Sequence, residues 1–80
     1  MVQVNLWSGL RRLADGNQVV AVEARSLREM LDALLRRHPG LEPVIRAGVS
    51  ISVDGVIVPD LNAPITEASE IYLLQRIKGG

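Results

Sequence analysis

One amphipathic segment constrains this chain more than anything else in it. From Ser26 onward, Leu27, Met30, Leu31, Leu34 and Leu35 recur at the spacing of one helical face, and no other stretch of the 80 residues holds that period as long. Ser26 lies three residues before Glu29, so each side chain can satisfy a backbone N–H at the helix start. His38-Pro39-Gly40 ends the helix, because Pro39 turns the residue before it away from helical torsions and Gly40 permits a reversal. Arg28 with Asp32, and Asp32 with Arg36, are spaced as ion pairs on the opposite face, each worth roughly 0.2–0.5 kcal/mol. A single apolar stripe of this length needs another surface to cover it, and the flanking sequence supplies strands rather than a second helix.

Before the helix, Val2, Val4 and Leu6 alternate with Gln3 and Asn5, the period of a half-buried strand, and continued alternation sends Trp7 to the outer side. Residues 8–17, with Gly9, Asp15, Gly16 and Asn17, read as a long hairpin connection to a returning strand at Gln18–Glu23. After the helix, Leu41–Gly48 has room for one to two turns, too little for the second long helix of a ferredoxin-like layout. Val49, Ile51 and Val53 then alternate with Ser50 and Ser52, Asp54-Gly55 is a strong hairpin signal, and Val56–Val58 is stopped by Pro59 as at a sheet edge. Leu61–Ser69 is a loop, and Glu70–Ile77 is the final strand. A hairpin, one helix and three further strands predict an α+β chain of the β-grasp, ubiquitin-like type. The expected sheet is mixed, of about five strands, with the one main helix on one face. By analogy, its first and last strands lie parallel in the middle. The domain spans residues 1–76, and 77–80 form a flexible tail ending in Gly-Gly.

Composition narrows the chemistry. The apolar fraction is 48%, and the aromatics are only Trp7 and Tyr72, so the core is aliphatic. Nine Lys and Arg balance nine Asp and Glu, which leaves no overall basic field for nucleic acid or a membrane surface. The absence of cysteine removes disulfides, thiol catalysis and iron–sulfur ligation. The single histidine, His38, sits at a helix end where capping is the ordinary role. Glu67 with Glu70, and Asp54 with Asp60, lie in turns and read as solvating groups. No glycine-rich phosphate loop is present. The expectation is a domain that is not an enzyme and performs no catalysis of its own, with no metal or cofactor bound by the chain. Neither a signal peptide nor an apolar span is legible, so the expected location is the cytoplasm.

The tail carries the remaining signal. Two adjacent glycines at a chain end arise by chance in roughly one sequence in two hundred at average glycine usage. Without Cβ atoms, Gly79 and Gly80 suit a channel too narrow for side chains. Extended, Ile77 to Gly80 reach roughly 13–14 Å, at about 3.3–3.6 Å per residue. A terminal carboxylate is a poor electrophile, so chemistry at Gly80 calls for an ATP-using partner.

Four stretches resemble the ubiquitin-like sulfur carriers of the MoaD/ThiS family, the molybdopterin synthase small-subunit and thiamine sulfur-carrier type. They are Leu6-Trp7-Ser8-Gly9-Leu10-Arg11-Arg12-Leu13-Ala14; the helix from Ser26 to Arg37 with its exit through His38-Pro39-Gly40-Leu41; the turn Val53-Asp54-Gly55; and the ending Glu70-Ile71-Tyr72-Leu73-Leu74-Gln75-Arg76-Ile77-Lys78-Gly79-Gly80. The resemblance implies that an E1-like adenylating enzyme, using ATP and Mg, activates Gly80. A sulfur donor system then converts it to a thiocarboxylate, and Ile77, Lys78, Gly79 and Gly80 enter the active site of an acceptor such as a molybdopterin synthase large subunit. Molybdopterin carriers usually have Pro-Pro and Gly-Asp where this chain has Gln75-Arg76 and Ala68-Ser69. Thiamine, cysteine, transfer-RNA thiolation and other metabolites therefore stay open as destinations. So do two readings of another class, a modifier conjugated to lysines and an interaction domain whose tail is never activated.

If Leu6, Val56, Val58, Ile71 and Leu73 face the helix, alternation puts Trp7, Ile57, Tyr72 and Leu74 on the open face of the sheet. Several apolar groups on one face suggest a contact surface, and the resemblance places Trp7, Ile57 and Leu74 at a partner interface. Parallel first and last strands can gather Arg11, Arg12 and Arg76 near the base of the tail, either as solvated side chains that contribute little or, with Arg11 and Arg76 joining that interface, as groups that steer docking onto an acidic partner.

Overall fold

The computed structural model describes residues 1–75. Five strands form one sheet in the order β2-β1-β5-β3-β4, with β1 at Val2–Asn5, β2 at Val19–Val22, β3 at Val49–Val53, β4 at Val56–Ile57 and β5 at Ile71–Gln75. β1 and β5 run parallel in the centre, with Val4 opposite Ile71 and Asn5 opposite Tyr72; the other pairings are antiparallel. The expected β-grasp arrangement is the one observed.

The long helix α2, Leu27–Arg37, buries Leu27, Met30, Leu31 and Leu34 against the sheet, with Leu35 at the margin. The sheet answers with Val2, Val4, Val20, Val22, Ile51, Ile71 and Leu73, so the core is aliphatic throughout. At the helix start, the Glu29 N–H donates to Ser26 Oγ at 3.2 Å. The reciprocal contact is displaced by one residue: Glu29 Oε1 accepts from the Arg25 N–H at 3.0 Å, not from Ser26. Neither expected ion pair forms among the described residues. Arg28 instead reaches Asn62 Oδ1 at 3.5 Å, and exposed pairs gain too little to hold long side chains in place.

The connection at 8–17 is more structured than a hairpin loop. It holds a short helix α1, Ser8–Arg11, and a 3-10 turn, Arg12–Ala14, because Leu10 and Ala14 are pulled into the core. The chain from Pro39 forms a second 3-10 turn and then α3, Glu42–Ala47, within the one to two turns expected. Asp54 and Gly55 both have positive φ, 52° and 86°, the requirement of the tight turn that closes β3 onto β4. β4 is shorter than the expected Val56–Val58, because the chain diverges ahead of Pro59. The final strand is described to Gln75; Arg76, Ile77 and the 76/77 domain boundary lie outside the described residues.

Candidate functional site

The site is built on the sheet face away from α2 and on the end of the sheet toward which β5 runs. Register explains the face. Tyr72 stands between Asn5 of β1 and Ser52 of β3, and Ser52 in turn stands opposite Ile57 of β4. Val19 extends the same row beyond Asn5. Leu74 lies opposite Ser50 in the next row. Side chains alternate along each strand, so these residues share one face. Ile57, Tyr72 and Leu74 are exposed at 52%, 46% and 37%. The small Ser52 is buried between the two larger groups, which leaves a shallow trough bounded by Tyr72 and Ile57. Asn5 is tied down by its amide, which donates to the Ile71 carbonyl at 2.9 Å.

Two placements differ from the alternation argument. Val56 falls on the helix side by register, yet it is 64% exposed. β4 is the edge strand and lies beyond the reach of α2. Trp7 sits past the end of β1, where the chain turns to start α1, and its carbonyl accepts from the Leu10 N–H at 3.0 Å. The ring is half-buried against the core. It folds back over Gly9, whose Cβ, if it had one, would sit 3.0 Å from Trp7 Nε1. Trp7 is therefore a shoulder of the site, not part of the flat face. Val19 is the exposed apolar residue that the sequence reading omitted; its signal was the alternation of Val20 and Val22 into the core.

Parallel pairing carries α1 and the end of β5 to the same end of the sheet. Arg11 lies there half-buried, with its Nε shut away from solvent and without a hydrogen-bond partner among the described residues. Arg12 is exposed beside it. Arg76, Lys78, Gly79 and Gly80 lie outside the described residues. His38 is buried at the C-terminal cap of α2, its Nδ1 3.6 Å from Asp15 Oδ2. Among the described residues no cluster of His, Asp and Glu is arranged to hold a metal ion, and no helix is long and apolar enough to cross a membrane.

A mixed five-stranded sheet packed on one long helix, with β1 and β5 parallel at its centre, defines a ubiquitin-like β-grasp domain. A model of the ThiS family matches residues 4–80, and the chain belongs to that family, whose members are small sulfur carriers and not catalysts. Solved structures repeat the fold. One is a chain of the BexX/CysO complex of Amycolatopsis orientalis, at 20% identity over 100% of both chains with a TM-score of 0.84. Another is SAMP1 from Haloferax volcanii, at 24% identity over 99% of this chain and 98% of that one, with a TM-score of 0.80. A third belongs to the complex of subunits 1 and 2 of the molybdopterin-converting factor of Helicobacter pylori 26695, at 24% identity over 99% and 97% of the two chains, with a TM-score of 0.70. At these identities the likeness is one of fold. No curated protein matches the sequence.

Proposed function

We propose that this sulfur carrier holds its cargo on the carboxyl group of Gly80. A carboxylate oxygen attacks the α-phosphate of ATP on an E1-like enzyme, releasing pyrophosphate and leaving an acyl-adenylate. Mg on that enzyme balances the phosphate charge. A sulfur nucleophile from the donor system then attacks the acyl carbon, AMP leaves, and the product is a thiocarboxylate. The thiocarboxylate sulfur bonds to an electrophilic carbon in the acceptor's active site, and water cleaves the acyl–sulfur bond, leaving the sulfur on the acceptor and returning the tail to a carboxylate. In this reading the described residues act as a rigid base that presents the tail to the partner enzymes.

The observation that carries this reading is the position of β5. Strands flank it on both sides, and Ile71 and Leu73 are buried at 0% and 1% exposure, so residues 76–80 follow in sequence on a strand that is firmly held. The family match runs through Gly80, which supports placing the reacting atom there. The open face, with Ile57, Tyr72 and Leu74 and with Trp7 at its shoulder, docks the activating enzyme and the acceptor, while Arg11 and Arg76 orient the approach. A cytoplasmic location fits a partner that consumes ATP. For the acceptor, a molybdopterin synthase large subunit is our first assignment, and enzymes of cysteine, thiamine or transfer-RNA thiolation are its competitors.

The test is ATP–pyrophosphate exchange by the host's E1-like enzyme. Exchange that depends on this chain, and that stops when one residue is added after Gly80, supports the reading. Exchange that ignores the added residue contradicts it.

A further inference from the structure

The edge of β3 is only half covered. Asp54 N–H donates to the Glu70 carbonyl at 2.9 Å, and pairing alternates along an antiparallel strand. Ser50 and Ser52 therefore spend their backbone groups on β5, while Val49, Ile51 and Val53 aim theirs at the β4 side. β4 satisfies Val53, and the Val58 N–H donates to the Ile51 carbonyl at 2.9 Å. There the ladder stops. Pro59 has no N–H to continue it, and the chain peels away to the start of α2, where Arg28 N–H donates to the Leu61 carbonyl at 2.9 Å and Leu27 N–H to the Ala63 carbonyl at 3.2 Å. The Ile51 N–H and both backbone groups of Val49 are left without a backbone partner among the described residues.

The diverging arm opens a groove of about 260 Å³ beside these groups. Leu31 forms part of its floor, Ile45 one wall, and Val58, Pro59 and Leu61 the other. This exceeds the ~150 Å³ of an apolar cavity that accepts a benzene ring. The opposite edge of the sheet is guarded instead: Arg37 Nη1 donates to the outward carbonyl of Ala21 on β2 at 3.0 Å. A bonded side chain lying across an edge deters strand pairing.

We infer that the β3 edge, with the groove beside it, is a docking site for an extended peptide segment of a partner protein. The segment adds as a strand in the place β4 vacates, and one aliphatic side chain enters the groove. Three unpaired backbone groups specify the chemistry of the occupant, because an extended backbone is the ligand that meets donor, acceptor and donor at strand spacing. The groove is also continuous with the proposed partner face. Ile57 belongs to both, and Val49 pairs with Gln75, the last described residue of β5. A protein that grips this edge therefore lies beside Gln75 on β5. The inference needs no sulfur chemistry and stands or falls apart from it.

The probe is a capped heptapeptide of alternating valine and threonine with a lysine at each end, titrated into isotope-labelled protein. The largest amide shifts are expected at Val49, Ser50 and Ile51, with slowed exchange of the Val49 and Ile51 N–H protons. Leu61→Lys, which keeps the backbone bond to Arg28, should weaken binding at least tenfold. Val49→Pro, which removes only an outward N–H, should do the same in a variant whose β3–β5 amide signals are intact. Shifts centred on Val19 and Ala21, no shifts in the millimolar range, or binding unaffected by Leu61→Lys overturn the inference.

Discussion

Tyr72 lies directly across the β3–β5 ladder from Ser52, an exposed ring beside a buried hydroxyl residue. A large residue at position 52 would fill the trough between Tyr72 and Ile57, so the small side chain keeps both accessible to a partner. Large aromatic groups in such positions carry a disproportionate share of binding energy. Tyr72→Ala is expected to weaken binding to the activating enzyme by about 2 kcal/mol, roughly thirtyfold. The thermal midpoint should hardly move, because the ring contributes little to the core. Calorimetric titration together with a melting curve checks both halves of this expectation.

The core predicts the opposite pattern. Leu34 and Met30 are fully buried on α2, and truncation to alanine removes contacts and leaves a cavity. Each change should cost about 2–5 kcal/mol by denaturant titration, a large share of the stability of a domain this small. Val56→Ala, at an exposed edge position, should cost within about 0.5 kcal/mol.

Most of this architecture was legible in the sequence. A period of 2 marked β1 and β3, a period of 3.6 marked the main helix, β-branched content marked β2, and Asp54-Gly55 fixed the β3–β4 register because both residues accept positive φ. The misreadings have physical causes. Strand alternation was carried through to Trp7, although Ser8 begins a helix and turns the ring back over Gly9. Val56 does fall on the helix side, as alternation predicts, but alternation says which way a side chain points and not whether anything stands in front of it. The uncovered β3 edge had no signal beyond Pro59, since it depends on where residues 58–63 go in three dimensions.

The Ser26 cap gives a local check. Ser26→Ala removes the acceptor for the Glu29 N–H and should destabilise the protein by about 1 kcal/mol. Because Glu29 bonds to Arg25 rather than closing the reciprocal box on Ser26, Glu29→Gln should retain most of the stability. Chemical denaturation of the two variants separates these contributions.

Acid behaviour follows from Glu67. Its carboxylate accepts a hydrogen bond from the Met1 ammonium at 2.8 Å, and that bond, with the positive charge behind it, lowers the Glu67 pKa below the ordinary 4.5. A lowered folded-state pKa means that the contribution is present above the unfolded value and disappears as pH falls through the folded one. A carboxyl-detected titration should give a midpoint under 4.5, and acetylating the Met1 amine should return it to the ordinary value.

The central claim concerns one atom at the end of the chain. Intact-mass and C-terminal peptide spectrometry of the protein purified from its native host measures it directly. The account predicts a species in which one oxygen of the Gly80 carboxyl is replaced by sulfur, and its loss when the host's E1-like enzyme is deleted. A chain that carries only an unmodified carboxylate, or one found joined through Gly80 to lysines with no sulfur-bearing form, would contradict it.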